Sequence, residues 1–183
     1  MIKKILISAM TALLLVTSGC DKNNPTEPAD NPKKTEVVTP ENKDNPDVKG
    51  AQTLQVTVYY PDQAGMSLIP VQREIKITDD SQKYISAVNC LLDAPTEEEL
   101  TQIFPKGAKI KSITLKGDTA VVDLDSGITK NFVGGSTGEE FLINSVVDTL
   151  TEFDEVKQVQ FLIDGQEVET LAGHMDLSEP IKR

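Results

Sequence analysis

His174 is the only histidine in the chain, so any hydrolytic scheme that needs an imidazole base must use it. It lies in the stretch LAGHMDLSEP, two residues before Asp176. The carboxylate that orients a catalytic imidazole usually comes from another part of the fold, so this local pair is weak evidence for catalysis. The pattern favours a structural histidine that fastens the C-terminal stretch.

Cys90 is the second side chain that could act as a nucleophile. A reactive thiolate needs positively charged surroundings, whereas Asp93 follows Cys90 and no basic residue lies within two helical turns after it. Cys90 also falls roughly opposite Val88 on a helical wheel, which places it at an edge or surface. With one histidine and one such cysteine, a zinc site is not indicated.

Acidic residues provide the strongest enzymatic alternative. Asp123 and Asp125 stand two residues apart at the end of a predicted strand, so they point to the same side. A wall-cleaving glycosidase needs two carboxyl groups about 5 to 9 Å apart. The segment Asp123 to Gly127 also resembles the start of a calcium-binding loop, but Gly134 stands where that loop needs a bidentate glutamate. Such spacings are expected by chance among 29 acidic residues, so we expect a strand-end turn here.

A glycine-rich stretch, NFVGGSTGEE from Asn131 to Glu140, leads into an apolar helical pattern. Loops of this kind bind phosphate through converging backbone N–H groups. The nearest basic residue, Lys130, lies upstream, and two glutamates already occupy the positive end of the helix dipole. The spacings Ser136–Glu139 and Thr137–Glu140 instead predict a capping box. We therefore expect neither nucleotide binding nor any other cofactor.

The elements that must position these residues follow from the hydrophobic periodicity. Alternation of period two predicts strands, and turn residues separate them. The predicted strands cover 54–60, 69–77, both arms of KSITLKGDTAVVDLD around Lys116–Asp118, and VKQVQFLI before the Asp164–Gly165 turn.

Helical periodicity predicts a helix over 81–92, with Ser81 as its N-cap, and a longer helix from Glu139 to Phe153. A short helix is expected at APTEEEL, where Thr96 and Glu99 are spaced as a capping box. The resulting order is ββαββαβ, and the strands are apolar on one side only. This pattern predicts an α+β fold of two layers, with helices packed on one face of a largely antiparallel mixed sheet.

The N-terminus has the pattern of an export signal. Lys3 and Lys4 precede an apolar run from Ile5 to Val16 and three small residues. The run would span only about 18 Å as a helix, which is too short to cross a bilayer. Cys20 follows directly, so residues 1–19 resemble a bacterial lipoprotein signal and Cys20 its lipid attachment site. Thr17 stands where that motif usually has leucine.

Residues 20–50 are predicted to form a disordered tether after the lipidated cysteine. The stretch 21–50 holds five of the ten prolines, no aromatic residue and few apolar ones. Residues 51–183 then form a single domain. The first fifty residues carry as many basic as acidic side chains, seven of each, so the net charge of −11 belongs to that domain. Nucleic acids are poor partners for such a surface.

The chain resembles the GerMN domain of sporulation and spore-germination lipoproteins over roughly Leu54 to Ile181. The helix INSVVDTLTEF, the strand VQFLIDGQ and the closing GHMDLSEP are the most specific segments. Members of this family can carry two copies, and this chain has one. The resemblance implies an exported, membrane-anchored, non-catalytic domain that acts at the cell envelope.

The sequence therefore predicts an extracytoplasmic binding module on the cell membrane that is not an enzyme. Its lipid anchor would insert into the membrane, and its domain would contact envelope proteins or peptidoglycan. A peptidoglycan hydrolase that uses acidic residues is the alternative. A solute-capturing lipoprotein is disfavoured, because one small domain lacks an interdomain cleft.

Overall fold

A computed structural model describes residues 50–183, and the predicted signal, Cys20 and most of the predicted tether lie outside the described residues. Two long strands open the domain. β1 (Gln52–Pro61) and β2 (Leu68–Ile77) form an antiparallel pair in which Val58 faces Val71. Both predicted strands are confirmed, and their alternate apolar residues point into the core. No helix within the described residues is long and apolar enough to cross a membrane.

The first helical segment runs from Asp80 to Leu92, with α1 (Lys83–Asn89) between two short 3-10 turns. Tyr84, Val88 and Leu91 are buried along one side, as the periodicity predicts. The predicted cap is wrong by two residues. Asp79 precedes the segment in an extended conformation, and its carboxylate accepts a hydrogen bond from the Ser81 N–H at 2.9 Å. Asp79 is therefore the N-cap.

The helix expected at APTEEEL is absent, and this stretch forms a turn against the β1–β2 hairpin. Arg73 holds both carboxylate oxygens of Glu97, at 2.9 and 2.7 Å. The Thr101 N–H donates to the carbonyl of Pro61 at 2.9 Å. The Gln63 N–H also donates to the carbonyl of Glu99 at 2.9 Å. Contacts with the hairpin, rather than a Thr96–Glu99 capping box, therefore hold this stretch.

A second sheet has the order β3-β4-β5-β6. Its strands are β3 (Ile110–Lys116), β4 (Thr119–Leu124), β5 (Gln158–Ile163) and β6 (Gln166–Glu167). β3 and β4 form the predicted hairpin, whereas β4 and β5 pair in parallel. Asp164 and Gly165 both have positive φ, 50° and 78°, in the tight turn between β5 and β6. Asp-Gly is the dipeptide that such a two-residue hairpin turn favours.

The helices supply the other layer. α2 (Gly127–Lys130) is a single turn after β4, and α3 (Gly135–Thr151) is the long helix before β5. α3 contacts β1 and β5, and α1 contacts β1, β2 and β3. Leu142, Val146 and Leu150 of α3 are fully buried in one hydrophobic core. The α+β class is confirmed, with the strands divided between two sheets.

Candidate functional site

The glycine-rich stretch leads into α3, and its glycines are explained by packing. A Cβ added at Gly134 would lie 2.7 Å from Cζ of Phe132, so the aromatic ring occupies the space of a side chain. Gly135, the first residue of the helix, has φ +59°, a conformation that residues with a Cβ rarely adopt. These glycines let Phe132 fold back onto the start of the helix.

The predicted capping boxes are not formed. Gly134 is the N-cap of α3 and no side chain hydrogen-bonds to this end of the helix. Ser136 and Thr137 are exposed within the first helical turn. Since the helix begins at Gly135, Ser136 lies inside it, where its hydroxyl cannot reach the N–H groups that an N-cap satisfies.

Glu139, predicted to be half of a capping box, is instead a fully buried carboxylate with a relative exposure of 0%. Its Oε1 accepts hydrogen bonds from the N–H groups of Leu171 and Ala172, each at 2.9 Å. Its Oε2 accepts from the N–H and from Nδ1 of His174, also at 2.9 Å. One carboxylate therefore binds the segment after β6 to the N-terminal part of α3.

Burial acts to raise the pKa of Glu139, because it removes water from the charged form. Hydrogen bonds from the backbone N–H groups and from the His174 ring lower it, and they prevail. The net pKa of Glu139 lies below its ordinary value, so the group is ionised at neutral pH. The sequence contained one signal for this role: Glu139 precedes Leu142 by three residues and Val146 by seven, on the buried stripe of the helix.

The ring of His174 is anchored rather than free. Its side chain is 45% exposed, with Nδ1 on Glu139 and Nε2 as the remaining ring nitrogen. Asp176 forms no ion pair with His174, whose ring bonds Glu139 instead, and Oδ1 of Asp176 accepts from the N–H and hydroxyl of Ser178. The structure agrees with the interpretation of His174 as the residue that fastens the C-terminal stretch.

A buried carboxylate bound to an imidazole is also the orienting half of a hydrolytic triad. The missing part is the nucleophile. Thr170 and Ser178 line the same cleft of about 370 Å³ as His174. The Thr170 hydroxyl accepts from the N–H of Gly173, and the Ser178 hydroxyl donates to Asp176. Ser136 lines a second cleft of about 230 Å³ with His174. None of these three hydroxyls is hydrogen-bonded to the imidazole that would have to activate it.

Asp123 and Asp125 each hold a turn through one oxygen. The Gly165 N–H donates to Oδ1 of Asp123, and the Gly127 N–H donates to Oδ1 of Asp125, both at 2.8 Å. These bonds join the end of β4 to the β5–β6 turn and to α2. The strand-end turn expected from the sequence is present. Within residues 50–183, no group of three or more His, Cys, Asp or Glu side chains is placed to hold a metal ion.

Cys90 is half-buried, and its Sγ lies 3.4 Å from the carbonyl oxygen of Ser86. Burial raises the pKa of the Cys90 thiol, and this effect outweighs the lowering influence of Arg73. In the fold, Arg73 of β2 lies near enough to Cys90 to lower the pKa of its thiol, although the sequence just after Cys90 contains no such basic residue. The thiol nevertheless stays protonated at neutral pH, which leaves it a poor nucleophile.

Two further open clefts on the described surface are larger than the one at His174. One lies on the outer face of the second sheet, where half-buried Thr119, Val121, Gln160 and Leu162 form a floor for about 690 Å³. The other lies between the β1–β2 turn and α3 and measures about 730 Å³. All eight aromatic residues fall within residues 50–183, and each is buried or half-buried. No exposed aromatic ring is therefore available on this part of the chain as a platform for sugars.

Solved structures show the same fold in other proteins. The chain is 24% identical to the tandem GerMN domains of the sporulation protein GerM from Bacillus subtilis, with a TM-score of 0.57, over 78% of this chain and 49% of that one. The first GerMN domain of GerM alone gives 18% identity and a TM-score of 0.57 over 71% and 98%. A Clostridium perfringens protein described as a lipoprotein gives 24% and 0.52 over 77% and 93%.

A comparison by sequence carries the assignment further. No curated protein matches the chain. A family model, Germane, described as sporulation and spore germination, matches residues 57–169, from within β1 to the segment after β6. This match covers more than half of the chain, and the matched residues include Glu139, which anchors the C-terminal stretch. The chain belongs to the Germane family of sporulation and spore germination.

Proposed function

We propose that this protein is a lipid-anchored, extracytoplasmic interaction module that acts in sporulation or spore germination without catalysing a reaction. The family supports the cellular context. The pattern of residues 1–20 supports the anchor, because Cys20 follows an apolar run and three small residues. The likeness to a Clostridium perfringens protein described as a lipoprotein is consistent with that anchor.

The non-catalytic assignment rests on one observation: the side chains that could take part in a reaction form hydrogen bonds that hold the fold. Glu139 and His174 bind each other and three backbone N–H groups. Asp123 and Asp125 each accept a hydrogen bond from a backbone N–H group. Nε2 of His174 and the second oxygen of each aspartate are not used in these bonds, but among the described residues no hydroxyl or thiol nucleophile is hydrogen-bonded to the imidazole, as a hydrolytic triad requires. These groups stabilise turns and loops of their own chain.

The partner we propose is a protein of the envelope rather than the glycan of peptidoglycan. Sugar-binding clefts commonly stack rings on exposed aromatic side chains, and those of residues 50–183 are buried or half-buried. The domain carries the whole net charge of −11. This charge repels nucleic acid and nucleotides and favours partners with basic surfaces.

The anchor is tested by replacing Cys20 with Ala in the full chain. The wild-type protein is expected to incorporate labelled palmitate and to partition into detergent, and the variant is expected to do neither. Cys90→Ala is the matched control, because it removes the other cysteine and should leave labelling intact. Equal labelling of wild type and Cys20→Ala would refute the anchor.

The absence of catalysis is tested on the full chain with cell walls of the host. We expect no release of muropeptides or sugars by the wild type, and unchanged envelope crosslinking by His174→Ala and by the Asp123→Asn, Asp125→Asn double variant. Circular dichroism must show that each variant is folded. Reproducible wall cleavage that disappears in a folded variant would establish the hydrolase instead.

A further inference from the structure

Two loops of the domain present a large apolar side chain to solvent. Val133, in the connection between α2 and α3, is 97% exposed, and Met66, at the tip of the β1–β2 hairpin, is 78% exposed. Exposed loops of small or polar residues are the preferred sites of proteolytic nicking. Exposure alone does not permit a cut, because a protease binds an extended stretch of backbone that must first leave its own contacts.

Hydrogen bonds hold the backbone at the tip of the β1–β2 hairpin. The Asp62 N–H donates to the carbonyl of Ser67 at 2.9 Å, and Oδ1 of Asp62 accepts from the Met66 N–H at 2.8 Å. The Gln63 N–H donates to the carbonyl of Glu99, which ties the tip to the neighbouring turn. A protease can therefore extend this loop only after these hydrogen bonds are broken.

The connection between α2 and α3 lacks such bonds. The Asn131 N–H donates to the carbonyl of Gly127 at 3.1 Å, and this hydrogen bond closes α2. Within the described part of the chain, the two residues that follow, Phe132 and Val133, donate and accept no hydrogen bond. Residues 133–137 are all exposed. The backbone around Val133 can therefore be extended at little cost.

The Phe132 ring fastens this connection to the helix. The ring is half-buried and lies against the start of α3, where a Cβ added at Gly134 would be 2.7 Å from its Cζ. Gly134 and Gly135 favour the open state, since glycine loses more conformational freedom than other residues when its backbone is fixed. An apolar contact of one ring opens more readily than the hydrogen-bonded hairpin tip.

We propose that the connection between α2 and α3 is a processing site, at which an endopeptidase hydrolyses the bond between Val133 and Gly134. Val133 suits a protease whose small apolar pocket selects short aliphatic side chains. Water is consumed in the step: the C–N bond breaks, Val133 gains a terminal carboxylate and Gly134 gains a terminal amino group. The proposal goes beyond the proposed function, which includes no cleavage of the chain.

The two pieces should stay together after the cut, because many contacts join them. β5 of the C-terminal piece pairs in parallel with β4 of the N-terminal piece. The Tyr59 N–H in β1 donates to the hydroxyl of Thr149 in α3 at 3.2 Å, and the Lys157 N–H donates to the carbonyl of Asp118 at 2.8 Å. Both pieces also share one hydrophobic core. The product is therefore a folded domain made of two chains.

The test treats the full chain under native conditions with elastase, a protease that cuts after small aliphatic residues. Fragments are identified by mass, so cuts before residue 50 do not obscure the piece that begins at Gly134. Within residues 50–183, we expect the first cut between Val133 and Gly134, before any cut at the exposed Ala64 of the hairpin tip. The two pieces should elute together in gel filtration and separate in denaturant.

Three variants separate the causes of cleavage. Val133→Asp places a charge in the apolar pocket and should slow the cut at least about tenfold. Met66→Asp makes the matching change at the hairpin tip and should leave the rate unchanged. Phe132→Ala removes the ring that fastens the connection, and should speed the cut after Val133 relative to any cut after Ala64. This ratio controls for a general loss of stability, which would speed both cuts.

In cells of the host, the wild-type chain should yield the piece that begins at Gly134, whereas Val133→Asp should stay intact. The proposal is overturned by a first elastase cut elsewhere within residues 50–183, or by equal rates for wild type and Val133→Asp. An equal increase at both loops in Phe132→Ala, or a wild-type chain that stays intact in cells through growth and spore formation, would also overturn it. The proposed function would survive these results, because anchoring and envelope crosslinking are measured separately.

Discussion

Glu139 and the pair Asp123 and Asp125 are carboxylates that hold turns of the same domain, but they do so in different surroundings. Glu139 is fully buried, and both of its oxygens accept two hydrogen bonds each. Asp123 and Asp125 are half-buried, and one oxygen of each accepts one backbone N–H. The sequence drew attention to the second region as a candidate catalytic pair, whereas the first received a local capping role.

The difference shows that the loss of stability on removing a carboxylate depends on how many donors it accepts from and on whether water can reach those donors. If Glu139 is removed, four donors lose their acceptor together, and two of them belong to the buried Leu171 and the half-buried Ala172. If Asp123 is removed, solvent can reach the single donor that remains. A buried donor without a partner costs about 1 to 3 kcal/mol, and an accessible one costs much less.

The largest effect is expected for Glu139→Gln. The amide keeps one acceptor oxygen but places an NH₂ group against two donors, so we expect the free energy of unfolding to fall by about 2 to 5 kcal/mol. Chemical denaturation followed by circular dichroism measures this loss. Glu140→Gln is the matched control, because the neighbouring glutamate is exposed and should change stability by less than about 0.5 kcal/mol.

If Glu139→Gln were as stable as Glu140→Gln, the buried carboxylate would not be holding the C-terminal stretch. Hydrogen exchange provides a second readout of the same contact. The amides of Leu171, Ala172 and His174 should exchange faster in Glu139→Gln, whereas the amides of the β3–β4 hairpin should exchange at rates set only by the global loss of stability.

Lowering the pH should remove the stabilisation that the ionised Glu139 gives to the wild-type protein. The pKa of Glu139 is lowered in the folded state from its ordinary value of 4.5, so its charged form stabilises the fold above that pH. The contribution is lost as the pH falls through the folded-state pKa. The difference in unfolding free energy between wild type and Glu139→Gln should be constant above about pH 5 and shrink below pH 4.5. A difference that is independent of pH down to pH 2 would contradict this.

Much of the fold could be predicted because its signals are local. Alternation identified β1, β2 and the β3–β4 hairpin, and the Asp164–Gly165 turn carries its own dipeptide signature. The hydrophobic stripe of Leu142, Val146 and Leu150 identified the long helix. These features depend on residues that are close in sequence, so the periodicity contains them.

The incorrect predictions of capping boxes share a different cause. The partners of Glu139 lie 32 to 35 residues away, and those of Glu97 lie 24 residues away in β2. Glu139 and Glu99, which lies two residues after Glu97, were assigned to capping boxes, because spacing alone cannot distinguish a local acceptor from a distant one. The position of Glu139 on the buried stripe was the available clue. The exposure of Met66 had no comparable signal, since turns contain both covered and exposed methionines.

The Asp123→Asn, Asp125→Asn double variant should sharpen the contrast with Glu139→Gln. Asparagine keeps one carbonyl oxygen, which is all that the Gly165 and Gly127 N–H groups require. We therefore expect a combined loss below about 1 kcal/mol. A melting temperature close to that of wild type would support this. A loss as large as that of Glu139→Gln would mean that the negative charges themselves are needed.

The smallest effect is expected at the exposed start of α3, two to three residues before the buried carboxylate. Ser136 and Thr137 form no capping hydrogen bond, since Gly134 is the N-cap and both hydroxyls lie within the first turn. The double change to Ala should therefore alter the free energy of unfolding by no more than about 0.5 kcal/mol, and the better helix propensity of Ala can make the variant slightly more stable. If these hydroxyls did cap the helix, the same change would cost about 1 to 2 kcal/mol. Denaturation of the double variant beside wild type distinguishes the two cases, with Glu139→Gln as the reference for a genuine loss of contacts at the same end of the helix. A cost near the upper figure would show that this end is held by its hydroxyls as well as by Glu139, and would weaken the contrast between local and distant anchorage.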